Sequence, residues 1–418
     1  MNVQFKCFLF GQFVSGFTSM LVQYALIWYL TTEYGSATIL SIATMLGILP
    51  MVVLGLFIGG IIDRFSRKNI LMISDSCVAL FAIVLFFSGE MVEKMPLVLI
   101  FIALGMRAGG QAFQQPTIQA IIPTMVEEKD FTKANGQFSA IGAINMVISP
   151  VAAAFLLTIF DIHQIVLLDI FGAMIGCGIL LLLKLPQVVR KEEKPHPIAD
   201  MKYGVNELWK IPAMRYSMMI ALLCNFLFMP AVSFYPLMTT SYFHGTLAQV
   251  GIVEMLSGVG MVIGGVVIGS GIGMKNRIKM LAITFLFMGI VYSMTTFLPK
   301  NRDGLLIFML ISLIAGISFP VINASFFAIL QETYKKEILG RIMAITFSLF
   351  NMATPLGLVL ITPFAEKIGI HYTFLIATIG FFASAILCYK IKDVWTYEEV
   401  LMKKKKMERE QEESVLID

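Results

Sequence analysis

Twelve stretches of this sequence are apolar for long enough to cross a bilayer, and no other feature narrows the possible folds so far. They run approximately 7–31, 38–60, 70–89, 95–118, 138–160, 164–184, 215–239, 247–270, 278–298, 304–329, 342–364 and 371–391. Each spans about 30 Å of hydrocarbon with some tilt. In lipid every backbone N–H and C=O must be satisfied within the segment, so these stretches have to be helices. Composition agrees: 58% of the 418 residues are hydrophobic and 14% charged, against roughly 25% charged in soluble domains. A soluble core of this length has no room for so much apolar surface. Lipid-facing and bundle-facing sides are both apolar, which accounts for the weak periodicity. The predicted fold class is an all-α polytopic membrane protein with twelve transmembrane helices. The first apolar stretch is too long for a cleaved leader and lacks a cleavage site, so it is predicted to be an anchor.

Basic residues set the orientation. With both termini inside, the cytoplasmic segments hold 26 Lys and Arg, and the opposite face holds four, Lys94, Lys300, Arg302 and Lys367. That asymmetry predicts cytoplasmic termini. The one long interior connection carries Arg190, Lys191, Glu192, Glu193 and Lys194. It divides the chain into a six-helix bundle over 1–185, a cytoplasmic loop over 186–214, a second bundle over 215–391 and a charged tail over 392–418. In the tail Lys403 to Lys406 precede Glu408, Glu410, Glu412 and Glu413, a pattern that predicts a short surface helix or disorder. Cys7, Cys77, Cys177, Cys224 and Cys388 have neither metal-ligand nor redox spacing and read as small apolar fillers.

The halves resemble each other. Glu128 stands eight residues before Gly136, and Glu332 eight before Gly340. Asn145-Met146 precedes Pro150 as Asn351-Met352 precedes Pro355, and Gly59 and Arg67 are spaced like Gly269 and Arg277. These matches stay in register and point to a duplication, a plan in which the binding site lies between the repeats.

The strongest local signal is Gly59-Gly-Ile-Ile-Asp63-Arg64-Phe-Ser-Arg67-Lys68, between the second and third helices. Gly59 allows close approach of a neighbouring helix. Asp63 can cap a helix N-terminus or pair with a cation across the gap between halves. This stretch matches the G-x-x-x-D-R-x-x-R-[RK] signature of the major facilitator superfamily without a gap, and the resemblance covers all twelve helices. It implies two six-helix bundles working by alternating access, with Gly59, Asp63, Arg64, Arg67 and Lys68 as a conformational latch. In the second half Gly273 and Met274 replace the Asp-Arg pair, so the latch is expected to be one-sided. Within the superfamily the chain resembles bacterial macrolide-efflux proteins and drug–proton antiporters at Leu49-Pro50, Arg107 with Phe113 and Pro116, Ser149-Pro150, Met229-Pro230, Gly340-Arg341 and Glu366 to Gly369. The fifth-helix antiporter motif is imperfect, with Ser149 and Ala152-Ala153 in place of glycines.

Arg107 sits mid-helix, where a cation costs on the order of 2.5–3.5 kcal/mol and needs a cavity or a partner. The resemblance ties it to proton transfer; a structural ion pair is the alternative. Glu254, a lone acid two turns into the eighth helix, can exchange a proton with the outer medium. Asp75 and Asp169 fall on helices expected to be scaffold. Proton coupling is therefore assigned to Glu254, Arg107 and Asp63. The amide and aromatic residues Gln23, Tyr24, Trp28, Asn225, Phe226, Asn323 and Phe327 fall on helices expected to face a cavity, and with 28 methionines they suit a pliable apolar pocket. Ordinary helix packing is their alternative.

No phosphate-binding G-x-x-x-x-G-K-[ST] loop occurs, so energy has to come from an ion gradient. No metal cluster or nucleophile–base pair stands out among the side chains, and His163, His196, His244 and His371 fall in loops or at helix ends. The expected function is proton-coupled efflux of a bulky hydrophobic or cationic compound by a monomer in a bacterial cytoplasmic membrane, without cofactor, metal or nucleic acid. Export of an endogenous metabolite such as a siderophore or peptide, and a transport-dead sensor or scaffold, are the alternatives.

Overall fold

A computed structural model of the chain describes residues 3–62, 65–92, 94–127, 131–183, 197–269, 276–334 and 336–401. Among these, twelve helical spans are long and apolar enough to cross a membrane, as the sequence predicts. The helices are α1 (Val3–Tyr34), α2 (Ala37–Ile62), α3 (Arg67–Met91), α4 (Leu97–Met125), α5 (Phe131–Leu156), α6 (Leu168–Leu182), α7 (Pro212–Ser233), α8 (Leu247–Gly269), α9 (Arg277–Thr296), α10 (Arg302–Thr333), α11 (Lys336–Ile368) and α12 (Tyr372–Lys390). Twelve crossings return the chain to the face where it began, here named the terminal face; the other is the far face. The bundle's outside is apolar, with Met91, Leu182 and Phe297 each more than three-quarters exposed. In water such a surface would associate, and in lipid it is the solvated side.

Pro50, Pro150, Pro230, Pro320, Pro355 and Pro363 all lie inside helices. Neighbouring helices in a membrane bundle can re-satisfy freed backbone groups, so a proline need not end a helix where it stands. Two predicted spans are nonetheless broken. The sixth begins as a separate turn, Ile162–Ile165, held by the Gln164 side chain accepting from the Asp161 N–H at 3.3 Å, before α6 starts. The seventh stops at Ser233, three residues after Pro230, and continues as a turn at Tyr235–Leu237 and a π-turn over Met238–Tyr242. The central connection contains a helix that the sequence reading did not foresee, Pro197–Lys210, anchored by the buried Leu208.

The two halves are cored differently. In the second, Phe228, Tyr235, Tyr292, Phe308, Phe374 and Phe381 form one aromatic stack, and the Tyr235 and Tyr292 hydroxyls hydrogen-bond at 2.6 Å. In α8, Gly260 and Gly264 lie directly against the backbone of α10 at Leu313 and Ile317, and Gly316 of α10 answers them. Only small residues permit backbones so close. The first half instead buries polar side chains, described below.

The end of the chain is also packed. Helical turns over Lys392–Trp395 and 397–401 fold back on the terminal face. There the buried Glu398 accepts from the Ile278 N–H at 3.2 Å and lies 3.8 Å from Arg277, while Arg277 pairs with Glu332 at 2.7 Å. The Tyr397 hydroxyl donates to Thr333 at 3.1 Å. The tail thereby clips the start of α9 to the end of α10; the charged run over 402–418 lies outside the described residues.

The halves meet along two seams, α2 with α11 and α5 with α8. On the second seam a side chain at Gly251 would meet Ala154 and one at Gly258 would meet Val147. Seven residues further along the same face of α8, Gly265 has nothing within 4 Å, so by this level α8 has parted from α5. This seam is tight toward the far face and looser toward the terminal face.

Candidate functional site: a cavity between the halves

A cavity of about 620 Å³ lies between the two halves. Its walls come from α1 and α2 of the first half and α7, α8, α10 and α11 of the second. On α1, Tyr24 and Trp28 stand one turn apart with rings 5.5 Å from each other. On the opposite wall Phe327 stacks on Phe347 at 4.9 Å, and Phe319 and Phe350 extend the same surface. Asn225 and Asn323 each donate to the carbonyl one turn back on their own helix, at 2.9 and 3.1 Å, which satisfies an amide donor while the side chain still lines the cavity. The indole N–H of Trp28 is buried without a hydrogen-bond partner among the described residues. A buried donor left this way gains from an acceptor on a bound molecule.

Among the described residues that line it, Glu254 is the only acid and none is basic. Its helix turns its small residues toward α5 and α10 and leaves this side chain toward the cavity. The cavity therefore carries one ionisable acid in an aromatic and aliphatic enclosure. Such a site suits an apolar molecule bearing a single cationic group, held by the carboxylate and by ring faces.

Arg107 is placed elsewhere. It is buried inside the first half, where its guanidinium forms an ion pair with Asp169 of α6, donates to the Ser19 carbonyl, and donates to Gln23 at 3.2 Å and to the Ser19 hydroxyl at 3.1 Å. Gln23 is thus engaged by Arg107 and does not line the cavity. Nearby, Asp75 accepts from Ser15 at 3.2 Å and Gln114 at 2.5 Å. A cation buried mid-membrane is matched here by a carboxylate and by hydrogen bonds to its remaining donors, which is the condition for tolerating it. Phe226 also lies off the cavity, its backbone carbonyl against Gly357 of α11.

The structure thus brings Tyr24, Trp28, Asn225, Asn323, Phe327 and Glu254 together around one space and leaves Gln23, Phe226 and Arg107 outside it. Sequence reasoning missed Thr44, Ile48, Met229, Phe319, Phe347, Phe350, Asn351 and Thr354 as wall residues. Asn351 carried a signal, since it belongs to the repeated Asn-Met pair, and Met229 another, as part of the Met229-Pro230 match; the rest are ordinary membrane-helix residues and carry none. Of the signature segment, Gly59 lies in α2, while Asp63 and Arg64, like Gly273 and Met274, lie outside the described residues. Arg67 donates to the Ala120 carbonyl at 2.7 Å, and Lys68 to the Leu181 and Leu183 carbonyls at 3.1 and 3.3 Å. Both therefore tie α3 to neighbouring helix ends of their own half. Among the described residues no group of His, Cys, Asp and Glu could hold a metal ion.

Comparison with known proteins agrees with this architecture. The chain is 32% identical over 386 residues to macrolide efflux protein A of Streptococcus pyogenes, covering 92% of this chain and 95% of that one. It is 25% identical over 390 residues to the multidrug efflux pump Tap of Mycolicibacterium fortuitum, covering 88% and 90%. The fold matches a solved structure of the nucleoside transporter NupG with a TM-score of 0.72 at 13% identity, covering 95% of this chain and all of that one. It also matches a bacterial homologue of the iron transporter ferroportin with a TM-score of 0.71 at 14% identity, covering 93% and 99%. The family profile of the Major Facilitator Superfamily covers residues 8–333 and 231–415. With twelve spans, a cavity between two bundles and matches along nearly the whole length, the chain belongs to the Major Facilitator Superfamily and is a secondary-active transporter of small molecules, not an enzyme.

Proposed function

We propose that this transporter exports a bulky amphipathic cation of the macrolide type from the bacterial cytoplasm, as a monomer, in exchange for protons. The observation that carries the reading is Glu254, a single acid in a large cavity of aromatic and aliphatic side chains. An unpaired carboxylate there is costly, and it gains equally from a proton or from a cationic group on the substrate. The two then compete for one site, and exchange follows when the site is exposed alternately to each side. The relatives named for macrolide and multidrug efflux support the substrate class. Tyr24, Trp28, Asn225, Asn323 and Phe327 form the substrate walls in this reading. The residues 1–185 and 215–391 are the two rocking bundles, with the termini and the intervening 186–214 loop in the cytoplasm. Asp63, with Gly59, Arg64, Arg67 and Lys68, latches the cytoplasmic side. Arg107 holds the first bundle's charge network in place behind the cavity.

The test is efflux of a radiolabelled macrolide from cells lacking their own pumps, with and without an uncoupler. The native chain is expected to hold internal macrolide low until the uncoupler is added. Glu254→Gln keeps the shape but removes both the titrating group and the partner of the substrate's cation, so uphill efflux fails, while downhill exchange of labelled for unlabelled macrolide persists at weakened affinity, carried by the aromatic and aliphatic walls. If Glu254→Gln still builds a gradient that the uncoupler collapses, protons use another site.

A further inference from the structure

Among the described residues, hydrogen bonds between side chains or helix ends of the two halves at the far face gather in one place. The Glu366 carboxylate, near the end of α11, accepts from the Ser36 hydroxyl at 3.1 Å and from the Thr38 backbone N–H at 2.9 Å. That N–H belongs to the first turn of α2, so a carboxylate from the second half caps a helix of the first. One turn deeper, the buried hydroxyls of Ser41 and Thr362 lie 2.5 Å apart. Around them Ala37, Leu40, Leu358 and Ala365 pack with Phe234 and Leu237 in a cluster drawn from both halves.

This seam continues into the cavity. The face of α2 that carries Ser41 runs on to Thr44 and Ile48, and the face of α11 that carries Glu366 and Thr362 runs back through Leu358 to Thr354 and Asn351. The last two on each helix line the cavity wall. Helical spacing of three and four keeps each set on one stripe. Parting α2 from α11 at Glu366 would therefore open the cavity to the far face along a continuous polar and apolar track.

We infer that Glu366 is a positioning residue for transport, which holds the far-face gate shut by capping the N-terminus of α2 across the interface between halves. The chemistry is suited to a gate. A carboxylate at a helix N-terminus meets unpaired N–H groups and the positive end of the helix dipole. Its exposure keeps the interaction modest, so it can be broken once in every cycle, whereas a deeply buried ion pair could not. The hydroxyl pair beneath it is neutral and separates without leaving a buried charge. The inference rests on the transporter assignment and on no particular substrate.

The experiment reads the gate without substrate. The native cysteines are replaced by alanine, and spin labels are placed at Ile159→Cys and Lys300→Cys, on far-face turns of the two halves. Pulsed electron–electron resonance on the purified full chain then gives the short-distance and long-distance populations. Glu366→Gln is expected to raise the long-distance population about threefold, and Glu366→Asp, which keeps the charge, to raise it less. In a separate label-free chain of the same background, Ser36→Cys with Glu366→Cys is expected to form a disulfide that blocks labelling of Thr44→Cys by an impermeant thiol reagent from the far face, and reduction followed by re-labelling restores it. An unchanged distance distribution in Glu366→Gln would overturn the inference. So would far-face labelling at position 44 that persists after the cross-link. Failure of macrolide efflux alone bears on the proposed substrate and leaves this gate standing.

Discussion

Two carboxylates in this molecule show how placement decides the role of one chemical group. Asp169 is buried against Arg107, whose guanidinium is also held by Ser19 and Gln23; Glu254 faces open space between the halves. The first is held, the second available. Removing one partner of a buried ion pair leaves the other charge unmatched, a loss of about 3–5 kcal/mol, whereas replacing both with apolar residues is often neutral. Arg107→Met is therefore expected to lower the thermal unfolding midpoint in detergent sharply, and Arg107→Met with Asp169→Leu to recover most of it. If the double variant is as unstable as the single one, the hydrogen bonds to Ser19 and Gln23, not the ion pair, carry the stability. Arg107 was recognisable in the sequence as a costly cation needing a partner. The partner was not recognisable, because Asp169 lies 62 residues away on another helix.

Among the elements, α8 combines two functions on different faces. Its glycine face lies on the backbone of α10 at Leu313 and Ile317. Gly260→Val is expected to cost about 1–3 kcal/mol by forcing these helices apart, seen as lost folded protein in size-exclusion fluorescence. Gly265→Ala meets nothing within 4 Å, and is expected to be neutral or stabilising through helix propensity. The tail is a second element with a measurable signature. Burial holds the Glu398 carboxyl above the ordinary carboxylate range, outweighing the Ile278 N–H and the Arg277 guanidinium that favour its charge, with Glu332 nearby acting in the same direction as burial. A carboxyl raised in the docked state binds its proton more tightly docked than free. Docking is therefore weakest with the carboxylate ionised, strengthens as pH falls through the raised value, and gains nothing further below the ordinary carboxylate range. Hydrogen exchange over 392–401, corrected for intrinsic rates, is expected to slow across that window, and Glu398→Gln to abolish the dependence.

At the level of the whole molecule, α2 and α11 run antiparallel along one seam, so each end of the pair sets the N-terminus of one helix beside the C-terminal end of the other. Glu366 occupies the far-face end. Asp63 directly follows α2 in sequence and is the latch proposed for the other side. Closing one end while opening the other is the geometry of alternating access, and small capping energies at the two ends set the balance between states. Asp63→Asn and Glu366→Gln are thus expected to shift the far-face distance distribution in opposite directions, and the double variant to return it close to the native balance. Additive shifts in the same direction would mean the two ends are not in opposition. Asp63→Asn is further expected to slow macrolide flux while leaving macrolide binding nearly unchanged, because a latch acts on the conformational equilibrium and not on the pocket; equal loss of both would place Asp63 in the binding machinery.

By itself the sequence determined the number of spans, the helical class and the family, because hydrocarbon imposes one rule on every segment: backbone polar groups must pair locally, which leaves a readable apolar run for each crossing. It also identified Glu254, Tyr24, Trp28, Asn225, Asn323 and Phe327, since polar and aromatic side chains stand out in such runs. Its boundaries failed where local turns interrupt an apolar stretch, just before Leu168 and after Pro230. Only the tertiary structure decided that Gln23 serves Arg107 instead of the cavity, that Phe347, Phe350 and Thr354 belong to its wall, and that Glu366 caps a helix more than 300 residues away in sequence. The reason is physical. A membrane helix is apolar on all sides, so its sequence does not say which face meets lipid, which meets its own bundle and which meets the opposite half; that is fixed only when the helices pack.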